Sequence, residues 1–337
     1  MILRVVARGS AAAASWIPSS AMLSSGPMPL VSRAALADCT VCPRECHVDR
    51  ARDERGYCRT GDGFSLGAIC AHCGEEPLIS GPQGICNVFF TRCNLQCRFC
   101  QNAQISRNRD PIYERSLSLD EVVRRIESVL ARGPSAVGFV SPSHVVPQMV
   151  EIIDALRRRG RDPTFVMNTG GYDKTEVLRA LEGRIGVYLP DLKYMDADLA
   201  RRLSDASDYP RVAAAALQEM YRQVGSEIAV DVNGNLRSGL VVRHLVLPGC
   251  AEDSKACLRF LARELSPRIH LSLLAQYAPT PPVARDPLLG RRLRQDEYDQ
   301  VVAEAERLGF EHGWVQALDS AESYLPDFTR DHPFEGD

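Results

Sequence analysis

After residue 84 the chain alternates short apolar runs with helix-period patterns, and that alternation constrains its fold more than any other feature. The runs are Ile85–Thr91, Ala136–Ser141, Thr164–Thr169, Gly186–Lys193, Leu240–Pro248 and Ile269–Tyr277, each rich in Val, Ile, Leu, Phe or Tyr. Between them, Ser118-Leu119-Asp120-Glu121 has the form of a capping box opening a helix that runs to about Gly133. Val145–Arg159 ends at Gly160, Asp173–Leu181 is followed by Gly183, and Tyr209–Val224 by Gly225. Such alternation predicts a parallel sheet with helices packed outside it. Six steps, rather than eight, predict an open α/β partial (β/α)6 TIM-type barrel. After Pro279 the pattern predicts a helix near Gln295–Leu308 and a strand at His312–Gln316.

A length of 337 residues with 45% hydrophobic content supplies material for one sizeable core. The net charge of −3 gives no general pull toward nucleic acid or acidic membranes. No apolar stretch approaches the length needed to span a bilayer. The basic run Arg157-Arg158-Arg159-Gly160-Arg161 reads as a helix end, where cations offset the dipole. The first 37 residues lack Asp and Glu, carry Arg4, Arg8 and Arg33, and are rich in Ala and Ser. That composition resembles an organellar transit peptide; a disordered leader, or a start at Met22 or Met28, explains it as well. The expected location is the cytoplasm or an organellar matrix, such as the mitochondrial one. The expected division is a leader at 1–37, a Cys-rich metal-binding segment at 38–84, the partial barrel at 85–280, and a C-terminal helix and cap at 281–337.

Twelve cysteines in a chain of this size, mostly in metal-like spacings, fit a reducing compartment better than a disulfide framework. Cys93, Cys97 and Cys100 form C-x3-C-x2-C directly after the first strand. Three thiolates on one loop can bind three irons of a [4Fe–4S] cube and leave the fourth open to an amine and a carboxylate. Read as zinc, the same loop is one ligand short of the usual closed set. Phe99 stands where a ring can press on a bound nucleoside. Cys39, Cys42, Cys46 and Cys58 form C-x2-C-Pro-x2-C-x11-C, which reads as a closed metal set, structural zinc or a fully ligated second [4Fe–4S] cluster that relays an electron, with four unligated thiols as the alternative. Cys70, Cys73 and Cys86 have too few partners nearby and read as buried small hydrophobes, and His72 is equally unremarkable. Glu75-Glu76-Pro77 and Ser80-Gly81 are expected to form an ordered turn over the barrel mouth.

In barrels of this kind chemistry gathers at the C-terminal strand ends. Those ends carry Ser141, Ser143 and His144; Asn168 and Thr169; Asp191 and Lys193; Arg243 and His244; Gln276 and Tyr277. Ser143 and Asp173 can equally cap the helices that follow. His244, inside an apolar strand, reads as a satisfied wall histidine, with Arg243 on the opposite face.

The cysteine loop with its aromatic, C-x3-C-x-Phe-C, resembles the signature of the radical S-adenosylmethionine superfamily. The resemblance implies a [4Fe–4S] cluster, S-adenosylmethionine, and an external electron donor such as flavodoxin or ferredoxin. Asp191-Leu192-Lys193, Arg243-x4-Pro248-Gly249 and the Gln101-Asn102 after the loop resemble the activating enzymes of pyruvate formate-lyase, over roughly Cys39 to Tyr277. By that resemblance Asp191, Lys193 and Arg243 line the adenosylmethionine pocket, and Tyr277 falls near a further pocket position. Arg243 or Lys193 is then the cation for the methionine carboxylate, and Asn168 or Asp191 the ribose acceptor. Ser141-Pro142-Ser143-His144 stands where the superfamily usually shows a Gly-Gly-Glu-like turn that grips the methionine amine. Either Ser141 and His144 substitute for that turn or the amine is held differently. The functions open to such a chain are hydrogen abstraction from a protein, including installation of a glycyl radical; radical modification of a small molecule or RNA base; and a non-enzymatic metal-binding module. The intact cysteine triplet and polar strand ends argue against the last. No residue is singled out as catalytic.

Overall fold

The computed structural model describes residues 29–232, 234–318, 326–330 and 332–334. The leader predicted at 1–37 therefore lies outside the described residues up to residue 28. Strand β1 (Phe64–His72) pairs antiparallel with β2 (Ile85–Phe90), with the one-turn helix α1 (Pro77–Ser80) between them. After α2 (Ala103–Ser106), β3 (Arg115–Leu117) pairs antiparallel with β1. The chain continues as α3 (Leu119–Leu130), β4 (Ala136–Val140), α4 (Val146–Arg158), β5 (Thr164–Thr169), α5 (Thr175–Ala180) and β6 (Val187–Pro190). Next come α6 (Ala197–Ser204), α7 (Tyr209–Val224), β7 (Ala229–Val230), β8 (Leu236–Leu245), α8 (Ala251–Phe260), β9 (His270–Leu274), α9 (Gln295–Arg307) and β10 (Gly313–Val315).

The sheet order is β10-β9-β8-β6-β5-β4-β2-β1-β3, and neighbours along this path from β2 to β10 run parallel, while the two-residue β7 pairs antiparallel with β8. It is the open partial barrel that alternation predicts. The short β10 falls within the predicted His312–Gln316 run and extends the parallel series by one strand. Strands β1 and β3 were not predicted: Gly67, Cys70 and their neighbours interrupt the strand signal, and the strand forms because β2 supplies its ladder.

Helix ends follow local chemistry. Ser118 accepts from the Glu121 N–H and opens α3, and Asp196 caps α6 through Asp198 and Leu199 N–H groups. The basic run does end α4, where Arg159 pairs with Glu127 at 2.9 Å and also with Asp120 on α3. Neither Ser143 nor Asp173 caps a helix: Val145 and Lys174 hold those positions without side-chain caps.

Period 2 sorts each strand between two cores. Ala136, Val166, Val187, Leu189 and Val241 make an apolar interior floor with Trp314, whereas Val137, Phe165, Tyr188 and Val242 face the outer helices. Two residues further along the same interior faces stand Asn168, Asp191 and Arg243. The floor therefore gives way to a polar layer at the C-terminal end of the sheet. Gly138 makes room for that layer, since a Cβ there would lie 2.1 Å from the Asn87 Oδ1.

Candidate functional site

The polar layer encloses a cavity of about 280 Å³ at the C-terminal strand ends. Cys93, Cys97 and Cys100 enter it from the loop after β2. Arg92, immediately before them, adopts φ +63 and turns the chain off the strand, a left-handed backbone rare outside glycine and common at functional sites. The loop is fixed from behind by backbone bonds from Gln96 N–H to Ser204 O and from Arg98 N–H to Leu203 O, 3.2 and 2.8 Å. Leu95 N–H donates to Cys93 Sγ at 3.4 Å and Ser204 Oγ donates to Cys97 Sγ at 3.0 Å. Burial pushes the Cys93 and Cys97 thiols up, and the Lys193 ammonium opposes the shift at Cys97.

The strand ends close the cavity. Lys193 Nζ lies 2.5 Å from Asp191 Oδ2; burial opposes its charge, but Asp191 and Cys97 together hold its pKa above the usual lysine range. Arg243 donates through Nε and Nη2 to Glu76 at 2.8 and 2.6 Å and also pairs with Glu75. Glu75 accepts further from Asn87 at 2.8 Å and Asn168 at 3.4 Å. Burial opposes the Glu75 charge, but Arg243 outweighs it and holds the carboxyl below its usual range. The sign is therefore that this pairing stabilises the fold above pH ~4.5 and is lost as pH falls through the folded pKa. The acidic turn does lie over the barrel mouth, as expected, with Glu75, Glu76 and Pro77 on the cavity wall. Neither of the two predicted cations is free: each already holds a carboxylate.

Ser141, at φ +54, and Phe99 also face the cavity. His144 and Tyr277 are corrections. The His144 ring turns back to donate from Nε2 to Thr91 O at 2.9 Å and sits beside the N-terminal cysteines, away from the cavity. The Tyr277 hydroxyl donates to Leu289 O at 2.6 Å, leaving its ring 6.2 Å from that of Phe99 and off the cavity wall. His244 behaves as a wall histidine, its Nδ1 bonded to Leu192 O at 2.7 Å. Its Nε2 is buried without a partner, and burial lowers its pKa to about 4. A depressed histidine pKa favours the fold above the unfolded value and loses that contribution on acidification. Stability should fall by roughly 3 kcal/mol between pH ~6.5 and ~4 from this group, and His244→Gln should flatten that part of a pH–denaturation series.

Sequence reasoning missed the hydroxyl of Tyr209 on α7. It lies 2.9 Å from Gly170 O and 2.8 Å from Asp191 O, and accepts from Lys193 N–H at 2.9 Å, so it joins the ends of β5 and β6. Gly171, at φ +77, permits that approach, since a Cβ would meet Asp191 O at 2.3 Å. Tyr209→Phe should cost about 1–3 kcal/mol in denaturant unfolding while iron content stays unchanged. The chain of Ser143, Thr169 and Asp173, with oxygen separations of 3.0 and 2.6 Å, was also missed.

Among the described residues no three His, Cys, Asp or Glu side chains stand close enough to cage a single ion. Cys93, Cys97 and Cys100 line the cavity together with the polar strand ends. Three thiolates on one loop are the donor set for three irons of a cube, which would leave the rest of the cavity for a ligand of that cluster.

Residues 87–230 match the model of the Radical SAM superfamily. An uncharacterized protein of Methanocaldococcus jannaschii is 24% identical over 285 residues, covering 82% of this chain and 77% of that protein. The solved structure of methylornithine synthase is similar at TM-score 0.46 and 16% identity, over 73% of this chain and 64% of that one. A domain of a pyruvate-formate lyase-activating enzyme from Bacteroides vulgatus is similar at TM-score 0.35 and 17% identity, over 49% of this chain and 89% of that one.

Proposed function

We propose that this chain, whose residues 87–230 match the Radical SAM superfamily model, is an enzyme of that kind and cleaves S-adenosylmethionine reductively to abstract hydrogen from a protein partner. The observation that carries the reading is the opening of Cys93, Cys97 and Cys100 into one cavity with the polar strand ends. When bound, the cluster and adenosylmethionine supply the electron transfer and the 5′-deoxyadenosyl radical.

The chain's own residues bind, orient and exclude water. Cys93, Cys97 and Cys100 would hold three irons of the cluster. Phe99, the aromatic residue of the cysteine loop, offers an apolar ring to an adenosyl group. Asn168 and Asp191 offer polar partners for a ribose, and Ser141 a hydroxyl for the methionine end. Arg243 becomes available to a carboxylate when the Glu75-Glu76 turn yields it. A carboxylate that replaces those two must match their charge-assisted bonds, which gives the pocket a means of rejecting uncharged ligands.

The cavity is at the small end of ligand pockets. Adenosylmethionine takes most of it, so the hydrogen donor approaches from the mouth, as a loop of a protein can. A reduced flavodoxin- or ferredoxin-type protein is the proposed electron donor. The test adds a dialysed anaerobic cell extract to the reconstituted, reduced chain with adenosylmethionine. Faster 5′-deoxyadenosine formation that resides in the retained fraction supports a protein acceptor. Stimulation residing only in the dialysate replaces it with a small molecule.

A further inference from the structure

The four N-terminal cysteines, 35 to 54 positions ahead of the catalytic loop by sequence number, line one void of their own. Cys39 N–H donates to Val48 O at 3.0 Å and His47 N–H to Cys39 O at 3.1 Å, so a tight turn folds Cys46 back toward Cys39. The chain then returns at Gly56, where a Cβ would meet the Cys46 Cβ at 2.6 Å, and brings Cys58 to the same void. Tyr57 N–H donates to Cys46 Sγ at 3.3 Å. Regular secondary structure contributes little to this segment: only the three-residue 3-10 turn Arg50–Arg52 lies between Cys39 and Cys58.

A second observation is independent of the cysteines. Arg50, 1% exposed, lines the same void. Its guanidinium donates to Gly61 O at 3.1 and 2.6 Å and to His144 O at 2.7 Å, and approaches Cys39 Sγ at 3.7 Å. Among the described residues it pairs with no carboxylate. A buried guanidinium whose partners are carbonyls and a thiol lacks the counter-charge that buried ions need. His144 lines the void as well, and its Nδ1 is buried without a partner.

We infer that Cys39, Cys42, Cys46 and Cys58, which line one void without caging an ion as they stand, close on zinc or an iron–sulfur cluster as a second centre of four thiolates, whose excess negative charge is balanced by Arg50. Four thiolates on a dicationic centre leave it anionic, which is the charge the buried guanidinium lacks. The centre fastens a segment too small to carry its own core. It also braces the catalytic loop. Arg44, on the void wall, donates from Nε to Asn94 O at 3.0 Å, one residue past Cys93, and its guanidinium lies 3.8 Å over the Tyr57 ring. His144 adds a second tie through Thr91 O, two residues before Cys93.

The test is metal and sulfide analysis of the full chain, purified and reconstituted anaerobically, as wild type and as the Cys93→Ala/Cys97→Ala/Cys100→Ala variant. In the variant the inference expects a metal to persist. About one zinc, or about four irons with matching sulfide, each supports the centre and identifies its occupant. Cys42→Ser in that background should remove it, whereas Cys73→Ser should not. The wild type gives the same reading without any substitution. Zinc, or iron clearly beyond about four per chain, supports the centre; about four irons with no zinc overturns it. Arg50→Met should speed loss of this metal to a chelator several-fold. Unchanged retention overturns the charge-balancing role. The occupancy of this centre is read separately from adenosylmethionine cleavage, so failure of either reading leaves the other standing or falling on its own.

Discussion

Cys97→Ala is expected to reduce 5′-deoxyadenosine formation to background and to remove the iron of the open cluster, with the fold intact. The thiol lines the cavity and accepts a bond from the hydroxyl of Ser204 at 3.0 Å. The loop around it does not depend on that thiol. Gln96 and Arg98 bond through their backbones to Ser204 and Leu203, and Gln96 Nε2 bonds to Ser106 O at 3.2 Å. Loss of one ligand of three leaves a cube with too few anchors, and no tetrahedral rescue is at hand among the loop's remaining sulfurs. Far-ultraviolet circular dichroism should be unchanged, and the exposed Cys73 offers the control, Cys73→Ser, that leaves both iron and product intact. Product formation by the Ala variant would mean that Cys97 is no cluster ligand.

The second large effect is expected at Arg243, on stability as well as on ligand binding. Its guanidinium is shared by Glu75 and Glu76, whose side chains are 8% and 5% exposed. Arg243→Ala strands both carboxylates in the barrel mouth, and breaking a buried pair from one side costs about 3–5 kcal/mol. Arg243→Lys should recover only part of this, because one ammonium cannot reproduce the forked contact to Glu76. Adding Glu75→Gln and Glu76→Gln to Arg243→Ala should restore most of the lost stability, since the stranded charges are gone. Adenosylmethionine binding should remain weak in that triple variant while iron content is unchanged. Denaturant unfolding and equilibrium dialysis separate the two effects. An Arg243→Ala protein as stable as wild type would show that the pairing with the acidic turn carries little energy.

The parts of this molecule that could be read ahead of the structure are those with a short period. Six strands announced themselves as apolar runs between helix-period segments, and their C-terminal ends named Asn168, Asp191 and Arg243, which the structure brings to one cavity. The cysteine spacing located the loop within it. What could not be read is what depends on distant partners. The Arg243–Glu76 pair joins residues 167 positions apart, and nothing local in Glu75-Glu76-Pro77 identifies its partner. His144 and Tyr277 occupy strand-end positions, yet each found a carbonyl elsewhere, Thr91 O and Leu289 O, and turned from the cavity. Tyr209 lies on an outer helix, where a buried tyrosine reads as packing until its hydroxyl is located. Asn87 did carry a signal: an amide in the middle of Ile85-Cys86-Asn87-Val88-Phe89-Phe90 is costly unless something receives it, and Glu75 does.

The most direct measurement of the central claim is a single-vessel assay on the wild-type chain, reconstituted anaerobically with iron and sulfide, reduced with dithionite and given adenosylmethionine. The account predicts 5′-deoxyadenosine and methionine in equal amounts, dependent on the reductant and absent without iron. A chain that holds its iron, stays folded and yields neither product would contradict it.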